Sequence, residues 1–152
     1  MFSIEDRELV QHIRGFFSLD GSLPEYHEQT NTIRIVIRGD GEFHPLVIGY
    51  SSGILRIWVR ESICIDNPSA MLLKHVLSIN QTLPLGCFHY STDSRAFRYS
   101  ASIPINNLPT RDFLSFVLSW VRVILDKHIP EIISCAGMLY NSKDRDNNPT
   151  FH

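Results

Sequence analysis

The chain has 152 residues, 43% of them hydrophobic and 20% charged, with a formal net charge of −2. That is one domain's length, enough to bury a core without disulfides or metals. The near-neutral balance excludes a generally basic nucleic-acid binder and a polyacidic chain, so any basic patch has to be local.

Residues 5–18 have helical periodicity. Leu9, Val10, Ile13, Phe16 and Phe17 share one face, Arg7, Glu8, Gln11 and Arg14 the other, and Asp20-Gly21 supplies a turn. Three strands follow. In TIRIVIR, Ile33, Ile35 and Ile37 alternate with Arg34, Val36 and Arg38, the period of a sheet with one buried face. GDGE turns the chain, and FHPLVIGY offers Leu46, Ile48 and Tyr50 inward, with Pro45 marking a strand start or edge. After SSG, ILRIWVR sets Leu55, Ile57 and Val59 against Arg56, Trp58 and Arg60, which completes a meander.

Asn67-Pro68 reads as N-cap and first residue of a second helix with a stripe of Leu72, Leu73, Val76, Leu77 and Asn80. LPLG then interrupts, because Pro84 disfavours helical geometry at Leu83 and Gly86 turns the chain. Two more strands carry Phe88 and Tyr90, then Phe97, Tyr99, Ala101 and Ile103, on their inward sides. Thr110 caps a third helix that is expected to end near His128, with Pro130 breaking or kinking it. Its polar residues Ser115, Ser119, Arg122 and Asp126 form one narrow stripe, so it needs cover on more than one side. The order is α-β-β-β-α-β-β-α: an α+β fold with an antiparallel sheet packed against helices. Residues 1–140 form a single domain and 141–152 a polar, flexible tail.

Cys64, Cys87 and Cys135 are odd in number and share no zinc or redox spacing, so they read as free thiols of a reducing compartment. The start MFSIEDRELVQHIRG carries acids early and lacks a signal peptide's basic and apolar regions. The longest apolar stretch, Phe113 to Leu125, is interrupted by Ser115, Ser119 and Arg122, and falls short of the ~20 residues of a membrane span. A cytoplasmic protein is the expectation.

The motif N-x-x-L-P-L-G-x-F, formed by Asn80, Leu83, Pro84, Leu85, Gly86 and Phe88, together with a following strand and a long helix with a late proline, resembles the YbjN-like family. That family belongs to a superfamily sharing the fold of type III secretion chaperones, and similar proteins occur in cyanobacteria, among others. The resemblance implies a compact antiparallel sheet with helices, often a homodimer, acting by binding another protein. Secretion chaperones of that fold hold an extended segment of a client and are distinctly acidic; this chain, at −2, is not.

Catalytic signals are weak. GYSSG (Gly49–Gly53) matches G-x-S-x-G, but a nucleophile elbow needs a helix after the serine, and a strand pattern follows here. Cys87 and His89 share a strand face without the further ligands that structural zinc requires. No cofactor, no metal and no enzymatic activity are expected. The more informative feature is the sheet's outer face, where Arg34, Arg38, Arg56, Arg60 and Arg98 point away from the helices with Trp58. Arginine and tryptophan are interface hot-spot residues, so this face is the candidate partner-binding surface. The alternative occupants are a small ligand or a nucleic acid; the net charge disfavours the latter. Leu73, Leu77, Phe116 and Trp120 are the candidate dimer interface.

Overall fold

The computed structural model describes residues 2–17, 24–60 and 62–147; the Asp20-Gly21 turn falls outside them. In chain order the elements are α1 (Ile4–Phe16), β1 (Glu25–His27), β2 (Thr32–Arg38), β3 (Phe43–Ser51), β4 (Ile54–Val59), β5 (Ile63–Cys64), α2 (Ala70–Thr82), β6 (Cys87–Ser91), β7 (Ala96–Pro104) and α3 (Arg111–Asn147). Ser3 caps α1 reciprocally with Asp6, each backbone N–H donating to the other's side chain.

Three expectations need correction. The strands β1 and β5, of three and two residues, are too short to show periodicity, and each exists because a longer neighbour offers it an edge. The cap of α2 is Ser69, whose hydroxyl accepts from the Leu72 N–H at 3.1 Å, while Asn67 sits before it at φ 48°. Finally, α3 passes through Pro130 and its backbone stays helical to Asn147. The ring removes one donor, leaving the Asp126 carbonyl without its helical partner. The turns on either side are held by packing, since Leu125, Ile132 and Ala136 are all buried.

All seven strands pair antiparallel, in the order β1-β2-β3-β4-β7, with β5 and β6 also on β7. Ala96 and Phe97 pair with both β5 and β6, and Ser100 with both β4 and β6. A strand has two edges, so β4 and β5 must share one edge of β7 and β6 must hold the other. The β3–β4 turn is Ser52-Gly53, at φ 52° and 81°, the positive pair of a type I′ hairpin. GYSSG therefore ends in a hairpin, and strand rather than helix follows the serine pair.

On the inner face Ile33, Ile35, Leu46, Ile48, Leu55, Ile57, Phe88, Phe97 and Tyr99 join Leu9, Val10 and Ile13 of α1, Leu72, Val76 and Ile79 of α2, and Leu114, Val121, Leu125 and Ile132 of α3 in one core. Two polar devices fix the helices over it. Asp126 on α3 accepts from His44 Nε2 at 2.7 Å and from the Asp40 N–H at 3.1 Å, tying the helix to the β2–β3 turn. Gly39 is required there, because a Cβ would collide with the Asp126 carboxylate and sit 2.7 Å from His44 Nε2. Partial burial alone would raise the Asp126 pKa, but the hydrogen bonds from His44 and Asp40 and the charges of His44 and Arg122 hold it below the ordinary value. Across the fold, Glu131 of α3 accepts from His128 Nδ1 at 2.9 Å and lies 3.2 Å from His75 Nε2 of α2.

The LPLG segment is the second joint. Leu83 is extended at φ −73°, ψ 129°, and Leu83 and Leu85 pack against the core. Asn80 clasps β6 from its open side: its Nδ2 donates to the Phe88 carbonyl and its Oδ1 accepts from the Phe88 N–H, both at 2.8 Å. The amide thus stands in for a neighbouring strand at an edge that would otherwise be unpaired. Tyr99 donates its hydroxyl to the Leu85 carbonyl at 2.7 Å. Burial, with the Cys87 thiol beside it, pushes that hydroxyl's pKa up, so it remains a donor.

Candidate protein-binding surface

Strand alternation places side chains on a sheet, and register decides which of them are neighbours. On the face away from the helices, Arg38 lies across from Phe43, Val36 from Pro45, and Arg34 from Val47, which faces Trp58 in turn. One row further, Gly49 faces Arg56. Arg60 follows β4 and donates its backbone N–H to the Pro45 carbonyl at 2.9 Å, which puts it beside Pro45. The result is an apolar ridge along β3, formed by Phe43, Pro45 and Val47. Arg34 and Arg38 stand on its β2 side, Arg56 and Arg60 on its β4 side.

The ridge is open at its Phe43 end, with Pro45 half-buried and Val47 buried. Val36 is 63% and Phe43 65% exposed, unusual for large apolar side chains on the same sheet as a closed core. Trp58 is half-buried. Its indole leans over Gly49, where a Cβ would stand 3.4 Å from the ring edge. Glycine at this position lets the ring lie across β3, and Val47 is buried at the foot of the same row. Arg34 is half-buried; Arg38, Arg56, Arg60 and Arg98 are exposed.

The six sequence-predicted residues therefore do share the outer face, with one qualification of position. Arg98 is on β7, opposite His89 of β6, two strands from the ridge. Among the described residues none of the five arginines forms an ion pair with a carboxylate. Glu25, the nearest acid in the Arg34 row, contacts His27 instead at 3.1 Å, and Glu61 lies outside the described residues. An unpaired guanidinium next to apolar surface is a ready partner for a carboxylate.

Sequence reading missed the apolar half of this surface. Val36 was legible as an outward strand residue, but its exposure and that of Phe43 depend on what the rest of the fold leaves bare. Alternation in FHPLVIGY placed Leu46 and Ile48 inward and so Val47 outward, but it gave no sign that Val47 is buried on that face while Phe43 is open.

The remaining candidates are placed as follows. Phe116 and Trp120 lie one turn apart on α3, edge to face at 6.5 Å, exposed at 63% and 40%, with Val123 continuing their stripe. Leu73 and Leu77 are also exposed. They lie on α2, which meets α3 through the His75–Glu131 pair among other contacts. Cys87 and His89 are exposed neighbours on β6, the His89 ring 3.5 Å from the Ser100 hydroxyl. Among the described residues no group of three or more histidines, cysteines or acids is placed to hold a metal ion, and no helix is long and apolar enough to cross a membrane.

Two solved structures carry a similar fold. A chain of the HopA1–SchA chaperone–effector complex is 15% identical, the match covering 82% of this chain and 95% of that one with a TM-score of 0.57. A chain of the heterodimeric ExoU–SpcU complex, from the type III secretion system of Pseudomonas aeruginosa, is 12% identical over 78% and 95%, with a TM-score of 0.54. The chain thus has an α+β fold like that of type III secretion chaperones. No protein-family model and no curated protein matches the sequence.

Proposed function

We propose that the chain is a non-enzymatic protein-interaction module, a chaperone-like adaptor or regulator that binds a partner through its outer sheet face. One observation carries this reading: an apolar ridge, open to solvent at Phe43 with Val36 beside it, between two columns of arginines that lack carboxylate partners among the described residues. Apolar patches rimmed by polar residues mark interaction sites, and the pairing of Trp58 with guanidinium groups has the composition of a hot spot. The two structures of similar fold are described as complexes of a chaperone with its effector and of a heterodimer, which supports a protein as the partner. Kinship with the YbjN-like family rests on the Asn80–Phe88 motif, now explained as a structural joint. We further propose a cytoplasmic homodimer whose contact is the α3 stripe of Phe116 and Trp120.

The test compares protein partners captured by the wild type and by a Trp58→Ala/Arg56→Ala variant with unchanged thermal stability. A discrete partner retained by the first and lost by the second is expected. The five arginines also suit a polyanion, so the same proteins are titrated with a single-stranded oligonucleotide. Binding that is salt-dependent and lost with Arg56 and Arg60, without any protein partner, would replace this reading with the anionic-ligand one.

A further inference from the structure

The layout of the outer face specifies what kind of segment it holds. We infer that the ridge along β3 receives an amphipathic α-helix of the partner, with an apolar stripe against Val36, Phe43, Pro45 and Trp58 and carboxylates along both of its flanks. This rests on the protein-binding reading above.

The geometry decides between segment types. The two arginine columns belong to β2 and β4, which lie either side of β3 and so stand roughly 10 Å apart. That is the diameter of a helix with its side chains. Within a column, Arg34 and Arg38 are four strand residues apart, as are Arg56 and Arg60, a spacing of roughly 13 Å. Two helical turns cover about 11 Å, within reach of long arginine and glutamate side chains. A helix presents an apolar stripe with polar positions on both sides at once. An extended strand does not: its side chains point alternately toward and away from the face, none to the flanks. Nor can it gain ladder bonds here, because β3 is already paired on both edges, with β2 and β4. At the β6 edge, Asn80 occupies the Phe88 backbone groups that an added strand would need.

Charge selects the occupant further. Four guanidinium groups frame the ridge without carboxylate partners among the described residues, so the flanks of the incoming helix are acidic. A second copy of this chain is a poor fit. Its exposed apolar helix stripe, Phe116, Trp120 and Val123, has Arg122 and Lys127 nearby, while of the acids on that helix Asp126 is engaged by His44 and Glu131 by His128 and His75, leaving Asp112 to face the arginines.

The test uses three synthetic peptides of about 18 residues, capped at both ends, and fluorescence anisotropy. The first has a leucine stripe flanked by glutamates, the second the same stripe flanked by lysines, and the third the first composition with two central prolines. The expected result is binding of the first, with affinity reduced roughly tenfold or more for each of the others. An Arg34→Glu/Arg60→Glu variant, checked for unchanged Tm, should reverse the preference and take the lysine-flanked helix. Equal binding of the glutamate- and lysine-flanked helices would overturn the charge argument. Preference for the proline-containing peptide would overturn the helix while leaving the protein-binding reading standing. If no peptide binds although the Trp58→Ala/Arg56→Ala variant loses a captured partner, the helix inference fails alone. Loss of both results removes the two together.

Discussion

Replacing Gly86 with alanine tests the joint between α2 and β6. Gly86 has φ +69°, and a left-handed conformation costs an ordinary L-residue about 1–2 kcal/mol. A Cβ there would meet the Ser100 carbonyl oxygen at 2.5 Å, the Tyr99 hydroxyl at 2.6 Å and the ring carbon bearing it at 2.8 Å. The Ser100 oxygen belongs to the β7 backbone, between β4 and β6, and has little room to yield. That collision has to be absorbed by the Gly86 backbone itself, while the one with Tyr99 is relieved by moving its ring, which would then lose its bond to the Leu85 carbonyl. A buried hydroxyl left without a partner costs about 1–3 kcal/mol. Together the two effects reach about 3–4 kcal/mol, a large part of a typical total stability of about 5–15 kcal/mol.

Urea denaturation of Gly86→Ala, Tyr99→Phe and the double variant separates the contributions. Removing the hydroxyl takes away one of the collisions, so Gly86→Ala should cost about 1 kcal/mol less in the Tyr99→Phe background. A Gly86→Ala protein within about 0.5 kcal/mol of wild type, the level of a neutral surface change, would refute the reasoning. Additive costs would show that Tyr99 is not where the strain goes.

Three other outcomes follow from the same coordinates. Asn80→Ala should cost about 2 kcal/mol in thermal or chemical denaturation, since it strips two hydrogen bonds from Phe88 and opens the β6 edge. Because the folded Asp126 pKa lies below its ordinary value, the carboxylate's contribution is present above that value and lost as pH falls through the folded one. Between about pH 5 and pH 2, wild-type stability should therefore fall more steeply than that of Asp126→Asn. Phe116→Glu/Trp120→Glu should remain folded, both side chains being exposed, and on the proposed dimer contact sedimentation velocity should show the wild type as a dimer and this variant as a monomer.

Much of the architecture was legible because the strongest signals are local. The alternating isoleucines of TIRIVIR, the period-two ILRIWVR and the Thr110 cap, which accepts from the Phe113 N–H at 3.1 Å, each report their own element. What escaped is set by distant partners. Pro130 reads as a helix end, yet the burial of Ile132 and Ala136 continues the helix past it. Asn67-Pro68 has the chemistry of a helix start, but Ser69 captures the Leu72 N–H. The short strands β1 and β5 have no pattern of their own. At the candidate surface the arginines, Val36 and Trp58 showed themselves through alternation, while the exposed Phe43 did not, since exposure depends on how the neighbouring elements pack.

The most direct measurement places the photo-crosslinking residue p-benzoylphenylalanine at Phe43, whose side chain is 65% exposed at the β2–β3 turn end of the ridge and leaves room for the added benzoyl group. The same residue at Lys74, exposed on α2, serves as the control. Illumination in cells should give a discrete protein adduct at position 43, absent at position 74 and lost when Arg34 and Arg60 are changed to glutamate. Equal adducts at both positions, or nucleic acid as the only species joined to position 43, would contradict the account.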